Sequence, residues 1–238
     1  LEPDVYVEAS DNILEKALQV HFKDESEVMI DDISSELIDG NIAYIRFGIC
    51  EKTPNLDNVL KDIEKYKNDG IKDYIIDITD NGGGDSRATL MLLKALGIKP
   101  GNYVKVVRMS NLAQEQRGYI RTNGYLKFEG NNKVVKNDDI NLYVLTNEGT
   151  FSSAQMLAVW VSDGKLGKVI GRPSSNKPSH FGDVLYIQLP NSKLAGQISH
   201  KKWSRPDQSK EDEEILEPDV YVEASDNILE KVLEYIRK

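Results

Sequence analysis

A predicted strand, two serines and a predicted helix follow one another in the second half of the chain. Residues 140–146 read INLYVLT, an apolar and partly β-branched run that predicts a buried strand. Residues 154–161 read AQMLAVWV and predict a buried helix. The chain must therefore turn near Gly149, and Ser152 and Ser153 are expected where the helix begins.

Two roles suit serines at this place. Hydroxyl side chains commonly cap the start of a helix, and Thr150, Ser152 or Ser153 could do so. A serine there also lies beside unpaired backbone N–H groups and the positive end of the helix dipole. Such a site suits a nucleophile whose product is an oxyanion. The local sequence alone favours capping.

A second loop of the same kind, Gly82-Gly83-Gly84, follows the apolar strand predicted at residues 74–78 and precedes a predicted helix. Glycines permit unusual backbone angles and a close approach of the backbone to a ligand. Three roles remain open: a tight turn, a phosphate cradle, or N–H donors to an oxyanion. The phosphate role is the weakest, because both the Walker lysine and a G-x-G-x-x-G pattern are missing.

Composition excludes several classes of protein. The chain has 238 residues, a net charge of −9 and a pI near 5.0, which argue against nucleic-acid binding. The single Cys50 excludes an internal disulfide, and the three histidines show no zinc-type spacing. Neither a metal site nor a nucleic-acid partner is expected.

Alternating strands and helices predict an α/β or mixed α+β domain with extra β-hairpins. The predicted strands lie at 33–38, 42–47, 74–78, 103–107, 140–146 and 168–171, with helices at 56–66 and 90–96, a loop at 173–183, and hairpins at 125–128/134–135 and 184–189/194–199.

The chain contains a duplication: residues 1–18 and 216–233 differ only in Ala17 against Val232. Each copy predicts a short extended piece followed by a helix, and both cannot fill one position in one domain. We therefore predict an N-terminal segment at 1–28, made of the duplicate and an acidic linker, and a core at 29–238. Three outcomes are open for residues 1–18: the orphaned tail of a preceding domain in a tandem array, a segment packed on its own domain, or a segment that displaces the tail of a neighbouring chain. We hypothesise the last, self-association by exchange of identical elements. Because the chain begins at Leu1, we take it as a piece of a longer precursor.

A serine nucleophile needs a base, and two candidates follow the serines. Lys177 lies in the loop after the next predicted strand, and a lysine can act as a base when desolvation lowers its pKa toward neutrality. An arbitrary lysine is more often an exposed charge. His180 with Asp183 is a rival base and orienting group. Ser152 lacks the G-x-S-x-G pattern, which argues against an α/β-hydrolase.

Taken together, the motifs resemble the S41 peptidases, the carboxy-terminal processing or tail-specific serine proteases. The resemblance covers roughly residues 33–225. It rests on the order and spacing of four motifs: IIDI with NGGG at 75–84, TNEGTFSSA at 146–154, Asp163, and GRPSSNK at 171–177. It includes the closing RPD and EPDV segments at 205–207 and 217–220.

The resemblance implies the roles of several residues. Ser152 would be the nucleophile, Lys177 the general base, and the backbone N–H groups of Ser153 and of Gly83 or Gly84 the oxyanion hole. It also implies a ClpP/crotonase-like α/β fold of stacked β-β-α units, a polypeptide substrate, and no metal or organic cofactor. It suggests a bacterial cell-envelope or extracellular location, which rests on the family resemblance alone.

The sequence departs from the family in three places. Ala154-Gln155 stands where the family often has Ser-Glu, and Phe181 stands where many members have a glutamine that orients the lysine. The third catalytic group is then Ser179, His180 or a backbone group, with His180 and Gln155 as candidate auxiliary residues. No PDZ domain is recognisable.

The expected function is a serine endopeptidase that cuts flexible or C-terminal polypeptide segments. One alternative is a non-catalytic peptide-binding module on the same fold, in which Lys177 would stay charged and point to solvent. Another is a crotonase-like acyl-group enzyme. The crotonase-like alternative is disfavoured, because few basic residues flank the glycine loop to hold the phosphate of a coenzyme.

Overall fold

Strands and helices alternate along most of the computed structural model, which describes residues 32–130 and 133–238. In chain order the elements are β1 Ile33–Ile38, β2 Ile42–Phe47, α1 Pro54–Asn68, β3 Asp73–Asp77, α2 Ser86–Ala95, β4 Val104–Arg108, α3 Asn111–Arg117, β5 Tyr125–Phe128, β6 Asn141–Thr146, α4 Ser153–Asp163, β7 Lys168–Gly171, β8 His180–Gln188, β9 Ala195–Ser204, a 3-10 turn Gln208–Lys210, β10 Val220–Tyr221 and α5 Ile228–Ile236. The predicted extended piece and helix of residues 1–18, and the predicted boundary at 28/29, lie outside the described residues.

The larger sheet has six strands in the order β1-β2-β3-β6-β7-β10. Only β1 and β2 pair antiparallel, and every other neighbouring pair is parallel. The carboxyl ends of β3 and β6 therefore lie side by side at one edge of the sheet. The mixed α/β architecture is as predicted.

The core lies on both faces of this sheet. On one face Tyr74, Ile76 and Val144 belong to the large buried cluster that also contains residues of α1, α2 and α4. On the other face Ile75 and Leu145 belong to a smaller cluster with Ile228 and Val232 of α5. Coverage of both faces explains why residues 74–76, at the centre of β3, are all apolar.

The smaller sheet is antiparallel, in the order β5-β4-β9-β8. Tyr103, just before β4, forms edge-to-face ring contacts with Trp160 of α4 at 5.8 Å and Trp203 of β9 at 6.4 Å. These contacts pack the second half of α4 against the base of the smaller sheet.

A buried ion pair strengthens this junction. Asp163 at the end of α4 accepts a hydrogen bond of 2.5 Å from Arg205 Nη2, and the two side chains are 1% and 0% exposed. Arg205 also pairs with Glu213 at 2.6 Å. The pair joins α4 to the end of β9.

Two expectations about local structure are wrong. The strand Tyr125–Phe128 pairs with β4, and Val135 bridges Lys99, so residues 125–135 do not form the predicted hairpin. The predicted loop 173–183 ends early, because β8 begins at His180, which pairs with Trp203. In both regions strand pairing with distant residues overrides local composition.

Helix α3 is not predicted, because its polar sequence NLAQEQR carries little apolar periodicity. Ser110 caps it by accepting a hydrogen bond from the Ala113 N–H at 3.0 Å, and Gly118 ends it in the left-handed conformation. Among the described helices, none combines the length and apolar character needed to cross a membrane.

Candidate active site

Ser152 occupies the turn between β6 and α4. Its backbone has φ 52° and ψ −121°, which a residue with a side chain rarely adopts. Its side chain makes no capping hydrogen bond to the helix and is partly exposed. The capping explanation of this serine is therefore wrong. Within the described residues its hydroxyl makes no hydrogen bond, and it lies at the start of a buried helix.

Hydrogen bonds to the chain after β3 hold this turn in place. Thr150 donates its hydroxyl to the Ile78 carbonyl at 2.9 Å and accepts the Asn147 N–H at 3.1 Å. The Phe151 N–H donates to the Asn81 carbonyl at 2.9 Å. The Thr150 hydroxyl therefore stabilises the turn, and the Ser152 side chain takes no part in these hydrogen bonds.

A reciprocal side-chain pair links the same two loops. Asn147 donates its amide N–H to Asp80 Oδ1 at 2.9 Å, and its own amide oxygen accepts the backbone N–H groups of Asp80 at 2.8 Å and Gly149 at 3.0 Å. Asn81, fully buried, accepts the Gly83 N–H at 2.8 Å and donates to the Phe47 carbonyl at 2.5 Å. The glycine loop and the serine turn thus form one connected unit.

The glycine loop lies directly against the serine turn. A Cβ on Gly83 would lie 2.7 Å from Ser152 Cβ and 3.0 Å from the Ser153 nitrogen, and Gly83 has φ 101°. Ser153 donates its hydroxyl to the Gly84 carbonyl at 2.6 Å. The structure therefore brings together four of the predicted site residues: Ser152, Ser153, Gly83 and Gly84.

The backbone N–H groups of this unit differ in availability. The Gly83 N–H is already bound by Asn81. The Gly84 N–H makes no hydrogen bond among the described residues. Ser153 is the first residue of α4, so its N–H has no carbonyl partner in the helix. Of the two glycines considered, the geometry favours Gly84 over Gly83 as a donor beside Ser153.

We expect Gly83→Ala to lower any activity that depends on Ser152 by at least about tenfold and to destabilise the fold by about 1–3 kcal/mol, because the positive φ and the close approach to Ser152 both disfavour a side chain. Gly82→Ala is the matched control, since its added Cβ meets nothing within 4 Å. Kinetics and thermal unfolding of the two variants check this. Equal effects would show that the close approach is unimportant.

Lys177 lies in a different environment from the one expected of a base. Its ammonium pairs with Glu214, and the two side chains are 58% and 69% exposed. Among the described residues, Lys177 makes no hydrogen bond to Ser152. The next residues are held firmly: Tyr103 donates to the Pro178 carbonyl at 3.3 Å, and Ser179 donates to Glu211 at 2.6 Å while accepting the Arg205 N–H at 2.9 Å.

The proposed pair of His180 and Asp183 does not form. His180 lies against Tyr103, with Nδ1 3.4 Å from the Pro178 carbonyl, and burial lowers the pKa of its imidazole. The Asp183 carboxylate instead pairs with Arg117 at 3.2 Å and with Lys201. The expectation that Asp183 orients His180 is therefore wrong. Phe181, next to His180, is largely exposed.

Gln155 is fully buried three residues after Ser152, and neither atom of its amide has a hydrogen-bond partner among the described residues. Residues three apart lie on the same side of a helix, so Gln155 lies near the Ser152 side of α4. A buried amide without partners is unusual and costly. The Asn176 amide nitrogen, next to Lys177 in sequence, is buried and unpaired in the same way.

Sequence reasoning assigned no role to the side chains that support the site, although two of them, Asn81 and Asn147, lie in the motifs quoted above. Asp80, Asn81 and Asn147 each follow the end of an apolar strand, and this position is the sequence feature that could have identified them.

Cys50 contacts the glycine loop: its N–H donates to the Gly83 carbonyl at 3.0 Å, and burial raises the pKa of its thiol to about 11. It is therefore a poor nucleophile. No group of three or more potential metal ligands is found in the described residues.

Comparisons with known protein sequences give one match to a family model. A sequence model described as peptidase family S41 matches residues 41–222. No curated protein sequence matches the chain.

Several solved structures are similar in fold. The photosystem II D1 C-terminal processing protease superposes with a TM-score of 0.55 at 16% identity, covering 84% of this chain and 50% of that one. A peptidase-like protein of Parabacteroides merdae ATCC 43184 gives 0.60 at 16% identity, covering 94% and 70%. Mature CPAF gives 0.55 at 17% identity, covering 87% and 52%. At these identities the likeness concerns the fold, and this chain spans about half the length of the first and third.

Proposed function

Because this chain belongs to peptidase family S41, we propose that it is a serine peptidase that cuts flexible or C-terminal polypeptide segments with Ser152 as its nucleophile. The main supporting observation is the backbone of Ser152, with φ 52° and ψ −121°, which holds a hydroxyl that does not cap the helix in a turn packed against the glycine loop. Strained backbone at a non-glycine residue is frequent at active sites, where surrounding contacts maintain it. One protein of similar fold is a C-terminal processing protease, which supports the choice of substrate class.

In the proposed mechanism Lys177, in its neutral form, takes the proton of the Ser152 hydroxyl while the serine oxygen attacks the scissile carbonyl. The carbonyl oxygen becomes an oxyanion held by the Ser153 and Gly84 N–H groups. Lys177 then protonates the leaving amine, which leaves an acyl-enzyme on Ser152. Water then attacks the carbonyl carbon of that ester while Lys177 takes one of its protons. The bond between the carbonyl carbon and the Ser152 oxygen breaks, Lys177 returns the proton to that oxygen, and the peptide acid is released as the serine hydroxyl is regenerated.

This mechanism requires Lys177 to exchange Glu214 for Ser152. An exposed ion pair contributes only about 0–1 kcal/mol, so separating Lys177 from Glu214 costs little. We propose that the dyad forms when a peptide binds over Ser152 and shields the ammonium group of Lys177 from water.

We expect Lys177→Ala to lower kcat by at least about a hundredfold, because general-base catalysis contributes about that much. Glu214→Gln should keep or raise the activity, because it removes only the competing partner of Lys177. His180→Ala is the control for a histidine base and should remain active. Hydrolysis of an unstructured fluorogenic peptide by the three variants distinguishes the two bases. If His180→Ala is the inactive variant and Lys177→Ala is not, the Ser–Lys proposal is wrong.

A second candidate is a non-catalytic peptide-binding module, favoured by the exposed pairing of Lys177 with Glu214. It predicts that a peptide binds without turnover at every pH and that Lys177→Ala leaves binding unchanged. Mass spectrometry of a peptide incubated with the wild-type chain separates the two, because only a peptidase produces fragments that disappear with Ser152→Ala.

A further inference from the structure

The smaller sheet has one face that the large buried cluster does not cover. Residues directly opposite each other on antiparallel strands share a face of the sheet. Val106 of β4 lies opposite Lys127 of β5 and Lys202 of β9. Lys202 in turn lies opposite Phe181 of β8. One row of side chains therefore crosses all four strands on this open face, while Trp203, the next residue of β9, packs against the buried cluster on the other.

Beside this row the open face forms a groove of about 330 Å³. Arg108 is two residues from Val106 and lies opposite Tyr125, so both belong to the open face. The side chains of Phe181 and Tyr125 are 70% and 67% exposed at the groove. Exposed aromatic side chains are enriched at binding surfaces. We call this site the basic groove, and define it by Val106, Arg108, Tyr125, Phe181, Lys201 and Lys202.

The charge of the smaller sheet is opposite to that of the whole chain. Its four strands contain five basic residues and one acidic residue, which gives a net charge of +4, whereas the chain carries −9. A local excess of positive charge attracts acidic partners. The basic residues are Lys105, Arg108, Lys127, Lys201 and Lys202, and the acidic one is Asp183.

The cations that line the basic groove differ in what they already bind. Lys202 pairs with Glu211 at 2.7 Å, and Lys201 pairs with Asp183. Arg108 is exposed and has no ion pair or hydrogen bond within the described residues. A guanidinium group can bind a carboxylate through two parallel hydrogen bonds, which an ammonium group cannot do. Arg108 is therefore the cation of the groove that is available to a carboxylate.

We propose that the basic groove binds acidic side chains of the polypeptide substrate, with Arg108 as the partner of a carboxylate and Phe181 and Tyr125 as apolar walls. This inference rests on the proposed peptidase function, because the groove lies close to Lys177. Phe181 follows Lys177 by four residues, and four residues span at most about 14 Å. A peptide held at Lys177 can therefore reach the groove within about four of its own residues.

An acidic peptide suits the basic groove better than a nucleic acid does. The groove is small, and the chain outside the four strands carries a net charge of −13 (−9 minus +4), which repels a phosphate backbone that extends beyond the groove. A short run of acidic and apolar residues places its negative charge only where the protein is positive.

Binding is measured on the full chain carrying Ser152→Ala, so that no peptide is consumed. The probes are fluorescein-labelled peptides with amidated C-termini, which carry several glutamates around a phenylalanine, or glutamines at the same places. We expect the glutamate peptide to bind at least about tenfold more tightly in fluorescence anisotropy at low salt. The difference should shrink at high salt, because the attraction is electrostatic and the groove is open to solvent.

Three variants locate the effect. Arg108→Glu should abolish the preference for glutamate, and it should bind a peptide with lysines at the same places more tightly than the parent chain does. Phe181→Ala should weaken the glutamate and glutamine peptides alike, because it removes an apolar wall. Lys61→Glu, the same charge change at an exposed residue of α1, is the matched control and should keep the preference.

Kinetics on the chain that retains Ser152 give a second measurement. Arg108→Glu should raise KM for the glutamate peptide at least about tenfold with kcat nearly unchanged, because the groove contributes binding alone. Equal affinity for the glutamate and glutamine peptides, or equal losses in Arg108→Glu and Lys61→Glu, would overturn the proposal whether or not peptide is cut. Tighter binding of a single-stranded oligonucleotide, or binding only of peptides with a free C-terminal carboxylate, would also overturn it. Glutamate-specific binding that depends on Arg108 but occurs without hydrolysis would support the groove and contradict only the peptidase function.

Discussion

Replacing Ser152 by alanine should lower kcat for an unstructured peptide by at least about a thousandfold, because removing a catalytic nucleophile leaves only the binding and oxyanion contributions. The free energy of unfolding should change little, since the Ser152 side chain makes no capping hydrogen bond and is partly exposed. Steady-state kinetics and chemical denaturation of the same preparation measure both quantities.

Ser153→Ala is the matched control for this substitution. It keeps the backbone N–H proposed for the oxyanion hole and removes only the hydroxyl that donates to the Gly84 carbonyl at 2.6 Å. We expect a loss of about tenfold, in proportion to one hydrogen bond that positions the glycine loop. If Ser153→Ala is inactive and Ser152→Ala is not, the nucleophile has been assigned to the wrong serine.

The stability of the fold should depend strongly on the buried ion pair. Arg205→Met leaves the Asp163 carboxylate buried without its cation, and the free energy of unfolding should fall by about 3–5 kcal/mol. Lys127→Met, which breaks an exposed pair with Glu129, should change it by less than about 1 kcal/mol. Urea denaturation measures both variants.

The double variant Asp163→Ala with Arg205→Met separates a charge effect from a packing effect. Removing both charges leaves none uncompensated, so the double variant should be more stable than Arg205→Met alone. If it is instead less stable by the sum of the two single effects, the pair acts through packing and its charges are incidental.

The elements that the sequence predicted well are those whose signal is local. The centre of β3, residues 74–76, is apolar because both faces of the strand are covered, and the helix Ser153–Asp163 contains the whole of the helix predicted at 154–161. The placement of Ser152 at a strand–turn–helix junction followed from the same local pattern. The conformation of its backbone did not, because it depends on hydrogen bonds between loops 67 to 72 residues apart.

Features set by long-range pairing could not be read from the sequence. Strand β5 pairs back with β4, and His180 belongs to a strand because β9 lies beside it. Lys177 is the clearest case at the site. Its position in the family motif suggested a base, but its partner Glu214 lies 37 residues later (214 − 177) in an acidic segment that reads as a connecting loop. Proximity of this kind depends on the whole fold.

Labelling with a fluorophosphonate probe, followed by peptide mapping, reports whether Ser152 is an activated nucleophile. We expect the wild-type chain to be labelled on Ser152 alone. Ser152→Ala should not be labelled, while Ser153→Ala still should be. Labelling of Ser152→Ala to the wild-type extent, or an unlabelled Ser152 in a wild-type preparation that hydrolyses peptide, would show that Ser152 is not the nucleophile.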